Sequence, residues 1–289
     1  MHPAPSIILF TVLSGAGFGY LAFLGIVGTA TGWTALGQYA LAFALAVGGL
    51  ISSTFHLGNP QRALLAFTQW RTSWLSREGW AAVAALLVMG GVAIGAIFFG
   101  MILRPLGWLG AALSMATVFT TSMIYAQMKT VPRWNSPLTP VYFIAAALAA
   151  GAIPGAPRGV AILLLLVLGI VQIAFWWGGD RRFAERGHDM NTATGLRGQV
   201  RLFESPHSGD SYLLQEFGFQ VARRHAAKLR VICMMLMVPL PVLFLLGGDL
   251  LIAPAFICHL LGALVSRWLF FAEARHVVQL YYGMHLLRR

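Results

Sequence analysis

Charge is what this sequence has least of. Only 10% of its 289 residues are Asp, Glu, Lys or Arg, against about 25% in an average soluble domain. With 58% of the residues apolar, there is too little polar surface to cover a water-soluble fold. Cysteine is nearly missing as well. Cys233 and Cys258 stand alone within apolar runs, without a CxxC partner, which removes a disulfide framework and a cysteine-held metal or iron–sulfur site. No cysteine-held metal is therefore expected in this chain, and His259 lies too deep and His56 too shallow to pair as the two ligands of a b-haem. The formal charge of +11 comes from 20 Lys and Arg against 9 acidic residues. No basic run reaches five or six, so the sequence points to basic flanks of membrane spans and not to nucleic acid. Ten-residue alternating strands are also absent, which argues against a membrane barrel. Neither an inverted repeat nor a matched pair of broken helices stands out, which weakens a secondary-transporter reading.

What the sequence does contain is eight apolar segments, at roughly 7–29, 37–57, 80–101, 106–127, 138–153, 158–178, 229–248 and 250–272. Each approaches the ~20 residues that a helix needs to cross a bilayer. Lipid-exposed backbone must satisfy its own hydrogen bonds, so these segments are expected to be helices. The expectation is an all-α integral membrane protein, with eight transmembrane helices in one bundle. A single polytopic domain spans 1–289, with a cytoplasmic loop or interfacial segment at 180–228. The first apolar run lacks a basic n-region and a clear cleavage site, so it reads as a retained helix. Lys and Arg crowd the loops after the second, fourth and sixth spans and the tail, whereas the other side has only Arg104 and Arg158. By the positive-inside rule both termini lie on the cytoplasmic side of the membrane.

The stretch from Ser53 to Trp80 holds His56, Arg62, Arg71, Arg77, Glu78 and three tryptophans between two long apolar runs. His56 ends one span and Glu78 begins the next, so both belong near one membrane edge. An imidazole and a carboxyl there suit proton exchange with a quinone oxygen. A second reading has His56 capping a helix end, with Arg77 and Glu78 as interfacial anchors.

Within the spans, His259 is a functional candidate by its depth, while Arg267 is near enough to a helix end to snorkel. With Glu273 these residues also define the alternative of a transporter proton path. In the segment Ile124 to Phe143, three prolines forbid a continuous helix. Tyr125, Trp134 and Tyr142 there read as interface-belt aromatics or as one wall of a quinone headgroup pocket. The polar segment from Asp180 to Lys228 mixes eight basic with six acidic residues. It suits an interfacial helix that sets Leu213, Leu214, Phe217 and Val221 against the membrane, a docking surface for a peripheral subunit, or both.

Three segments together resemble a known family. HLGNPQRALLAF…TSWLSRE from His56 to Glu78, MKTVPRWNSPLTPVYF from Met128 to Phe143, and SRWLFF from Ser266 to Phe271 are similar to the membrane anchor subunit of the dimethyl sulfoxide reductase family of molybdoenzymes. The resemblance implies a haem-free anchor, not an enzyme on its own. It would hold a molybdopterin catalytic subunit and a four-cluster iron–sulfur subunit on the lipid bilayer and exchange electrons with ubiquinone or menaquinone. It associates His56 and Glu78 with quinol binding and oxidation. Around them, the quinone-contacting set is Arg62, Arg71, Trp74, Arg77, Tyr125 and Trp134. The portion from Glu204 to Arg230 resembles a subgroup associated with sulfite-oxidising complexes, in which quinone is reduced.

Overall fold

A computed structural model of the protein describes residues 4–55, 59–201, 203–204 and 221–281. Among these there is no strand, and eight helical segments are long and apolar enough to cross a membrane. They are α1 (Pro5–Val27), α2 (Gly32–Thr54), α3 (Trp74–Phe98), α4 (Arg104–Ala126), α5 (Leu138–Gly155) and α6 (Arg158–Glu185). After a short α7 (Met190–Thr194), the seventh span is made by α8 (Val221–Met237) with α9 (Pro239–Gly247), and the eighth by α10 (Ile252–Ala272). The expected spans are all present, with ends shifted by a few residues. One difference is the break in the seventh span at Val238, where Pro239 and Pro241 each remove an N–H from the helical ladder. The interfacial helix expected around Leu213, Leu214 and Phe217 lies outside the described residues. From Val221 onward the chain is helical and runs directly into the seventh span.

α1 is the centre of the bundle. Inside its most apolar stretch 72% is buried, against 28% for α2, because α1 packs on α2, α4, α5 and α10. Glycines make this possible. A Cβ on Gly19 would overlap the carbonyl of Ala147 in α5, and Gly25 of α1 meets Gly107 of α4 backbone to backbone. Without a hydrophobic drive between helices in lipid, such close approach supplies the dispersion contact that holds a membrane bundle together. Large apolar side chains such as Trp33, Leu87, Ile170 and Leu246 are exposed on the outside, as a lipid-facing surface requires.

Alternation along the chain brings the start of α1, the end of α2, the start of α3, the end of α4 and the end of α10 to one edge, termed here the near edge. A charge cluster ties that edge together. Arg133, in the α4–α5 connection, pairs with Asp180 of α6 (2.7 Å) and with Glu273 after α10 (2.5 Å). Arg230 of α8 pairs with the same two carboxylates, each at 2.7 Å. The far edge has its own pair, Arg158 with Asp249 (2.8 Å), and Arg104 donates to the Ile26 carbonyl (3.2 Å).

Two outcomes are expected. Gly19→Val should force α1 from α5 and leave little monodisperse protein on size exclusion in detergent. Gly37→Ala, where a Cβ meets nothing within 4 Å, should leave it unchanged. Glu273→Gln leaves the buried Arg133 short of a partner and should cost about 3 kcal/mol, visible as a lower thermal unfolding midpoint.

Candidate functional site at the near edge

Beyond α2 the chain makes a 3-10 turn (Pro60–Phe67) and returns through Ser73 into α3. The Ser52 hydroxyl donates to the Ser6 carbonyl (2.9 Å), which fixes the end of α2 beside the start of α1. His56 follows four residues later and lies outside the described residues. Arg62 falls within the 3-10 turn. Arg77 donates to the carbonyls of Trp70 (3.0 Å) and Arg71 (2.7 Å), and its guanidinium stacks on Trp74 at 4.3 Å. It thus closes the α2–α3 connection. Trp80 adds an indole bond to the Phe67 carbonyl (3.0 Å). Arg71 is exposed and stacks on Trp70, and Trp74 meets Phe119 of α4 edge-on.

Glu78 is different from its neighbours. One turn into α3, it is only 4% exposed, and the Thr121 hydroxyl of α4 donates to its carboxyl (2.5 Å). The same hydroxyl lies 2.9 Å from the Thr117 carbonyl oxygen. No cation pairs with Glu78 among the described residues, so it is no interfacial anchor. Helical spacing sets Tyr125 one turn beyond Thr121 on the same face of α4. Tyr125 is buried by Trp134, Phe143, Phe270 and Phe271, with ring centroids 5.3–5.6 Å away. Trp134 stacks on Phe270 at 5.2 Å and donates to its carbonyl (3.0 Å). These aromatics form a solid plug between α4, α5 and α10 and are not an exposed belt; Phe143 also lines the cavity beside the plug.

Thr121 also lines a narrow cavity between α1, α4, α5 and α10, shared with Tyr142, His259 and Arg267. It has room for about two water molecules. Arg267 does not snorkel; it is 4% exposed, with its guanidinium 3.9 Å from the Phe143 ring centroid. Tyr142 is tied to Ser266 (2.6 Å), which donates to Gln172 of α6 (2.7 Å). His259 Nδ1 lies 2.8 Å from the Met237 carbonyl oxygen. That carbonyl has lost its helical donor because Pro241, four residues on, has no N–H. The carbonyl only accepts, so Nδ1 carries the proton.

The structure therefore brings Glu78 to Thr121, and Thr121 to the cavity that Arg267 lines; of these the sequence singled out Glu78 as a site residue. Arg71, Arg77 and Trp74 belong to the loop closure, and Tyr125 and Trp134 to the aromatic plug behind the cavity. Thr121 carried no sequence signal, since a membrane threonine ordinarily bonds its own helix. Among the described residues, no three His, Cys, Asp or Glu side chains come close enough to share a metal ion.

Residues 1–174 match the profile of the DMSO reductase anchor subunit (DmsC). Over nearly the full length, the chain is 34% identical to a sulfite dehydrogenase subunit of Allochromatium vinosum. That alignment covers 98% of this chain and 99% of the relative. With its eight apolar helices and a match over more than half of its length, the chain belongs to the DMSO reductase anchor subunit family and is a multi-pass membrane protein.

Proposed function

We propose that this chain is the anchor and quinone-reacting subunit of a molybdopterin oxidoreductase complex in the bacterial inner membrane. It passes electrons between a partner four-cluster iron–sulfur subunit and the quinone pool, and quinone is reduced as a molybdopterin subunit oxidises sulfite on the cytoplasmic side. The observation that carries the reading is Glu78, a carboxyl held out of water at the near edge by one hydroxyl, with no cation paired to it among the described residues. A buried acid of this kind, inside a membrane span, is placed for proton exchange with a bound oxygen and contributes little as an anchor. The likeness to a sulfite dehydrogenase subunit supports the substrate and the direction.

The chemistry balances without a metal in this chain. Sulfite and water give sulfate, two protons and two electrons at the partner subunits, and quinone takes up two electrons and two protons to become quinol. In this scheme Glu78 passes a proton from its carboxyl to one quinone oxygen. Thr121 holds that carboxyl toward α4, and His56 serves the second oxygen from the end of α2. Arg77, by closing the loop between them, keeps both at the same edge. The aromatic plug of Tyr125 and Trp134 excludes water from behind. The family description, which names DMSO reductase, favours a second reading in which quinol is oxidised; the same acid–base groups then run in reverse. A transporter path through His259, Arg267 and Glu273 gains no support, since His259 serves the Met237 carbonyl, Arg267 is enclosed by aromatic rings and Glu273 is held by two arginines.

In the assembled complex, Glu78→Gln and His56→Arg should each slow sulfite-driven quinone reduction by about 100-fold. Sulfite oxidation with a soluble dye and membrane attachment should both stay intact. Quinone reduction by Glu78→Gln at the unmodified rate would contradict the assignment.

A further inference from the structure

Arg267 is a buried charge without a counter-charge among the described residues. Its side chain is enclosed by Tyr142, Phe143 and Phe270, whose ring centroids lie 5.1, 3.9 and 5.3 Å from the guanidinium carbon. No carboxylate pairs with it among the described residues, and its Nε and Nη1 find no acceptor there. Ring faces stabilise a cation but do not replace a hydrogen-bond acceptor, and a guanidinium taken out of water is costly until its donors are used. The fork of N–H groups is the geometry that recognises oxygen lone pairs. Arginine also keeps its charge in a protein interior.

The same guanidinium lines the cavity that Thr121 lines from α4, and Thr121 is bonded to Glu78. Gly15 of α1, Ala146 of α5 and Ala263 of α10 give this cavity thin apolar walls, and at Gly15 a Cβ would meet nothing within 4 Å. The cavity thus combines an apolar surround with one buried, unsatisfied donor fork, and it adjoins a buried proton-exchanging group. We propose that the cavity binds an acceptor oxygen on Arg267, placing that oxygen in the same chemical unit as Thr121 and Glu78. The inference rests on the quinone reading above. The oxygen belongs either to the quinone headgroup or to an internal water that relays a proton to Glu78. Arg267 is then a positioning residue, held in line by Tyr142 and Phe143.

The test uses the intact complex in proteoliposomes with Arg267→Met, which keeps an unbranched apolar side chain among the rings. Rates with a short-chain quinone are measured beside dye-linked sulfite oxidation, together with fluorescence quenching of a hydroxyquinoline N-oxide inhibitor. We expect kcat/KM for quinone to fall at least tenfold with the dye-linked rate unchanged. A rise in KM with loss of inhibitor quenching assigns the oxygen to the headgroup. A fall in kcat at constant KM, with an altered rate ratio between H2O and D2O, assigns it to water. Unchanged kcat, KM and quenching would overturn the proposal and leave Arg267 a packing residue. Where Arg267→Met does not assemble, Arg267→Lys decides instead, since it keeps the charge and removes the donor fork; a loss of the same kind supports the proposal, and unchanged kinetics overturn it. If the unmodified complex reduces no quinone, the functional reading itself fails. Inhibitor quenching then judges Arg267 alone, retained quenching in Arg267→Met counting against the proposal and lost quenching for it.

Discussion

Backbone contact along α1 is the constraint on which the rest of the structure depends. Lipid offers no solvent-driven force between helices, so the bundle forms where helices touch most closely, and Gly19 and Gly25 let α5 and α4 touch α1 at the backbone. With α4 and α5 held by one helix, their connection is fixed at the near edge. Trp134 and Arg133 in that connection then reach α10, α6 and Glu273, and Arg230 of α8 joins the same two carboxylates. The four-member charge cluster is downstream of this arrangement. It joins elements that glycine packing has already gathered, and it keeps the polar cost of that edge low by pairing each buried charge.

The same arrangement creates the site. α3 packs chiefly on α4, so the carboxyl of Glu78 faces Thr121 instead of the water beyond the edge. α10 packs on α1, α5 and α8, so Arg267 is turned into the bundle and covered by the aromatic side chains of α5 and α10. Arg267 thus lines one small cavity, and Glu78 is joined to it through the Thr121 hydroxyl. Neither has an opposite charge beside it among the described residues. Ionisable groups held in this way inside a membrane protein are costly, and they mark candidate functional sites.

Much of this was legible in the sequence, and the parts that were not share a cause. Span number and type followed from runs of apolar residues, and Glu78 was marked by standing at the start of a span beside Trp74 and Arg77. Arg267 reads differently in sequence and in structure, because its place five residues from the end of α10 suggests reach to water. The rings of Phe143 and Tyr142, distant in sequence, close that route. Tyr125 and Trp134 read as edge aromatics or as a pocket wall, since nothing local reveals that α4, α5 and α10 meet around them. Thr121 and the Met237 carbonyl gained their partners only through cross-helix contact. The break at Val238 was not read from the sequence, which shows one span over 229–248, and its consequence for His259 was missed with it. His56 and the segment through Phe217 lie outside the described residues, and their roles stand on sequence alone.

The central claim is that this chain links a partner's sulfite chemistry to the quinone pool. The most direct measurement is the redox state of the quinone pool in membranes given sulfite, with and without this chain, and with dimethyl sulfoxide as the comparison substrate. The account predicts sulfite-driven quinone reduction that disappears with the chain. Sulfite-driven reduction that persists at the same rate without it would contradict the account.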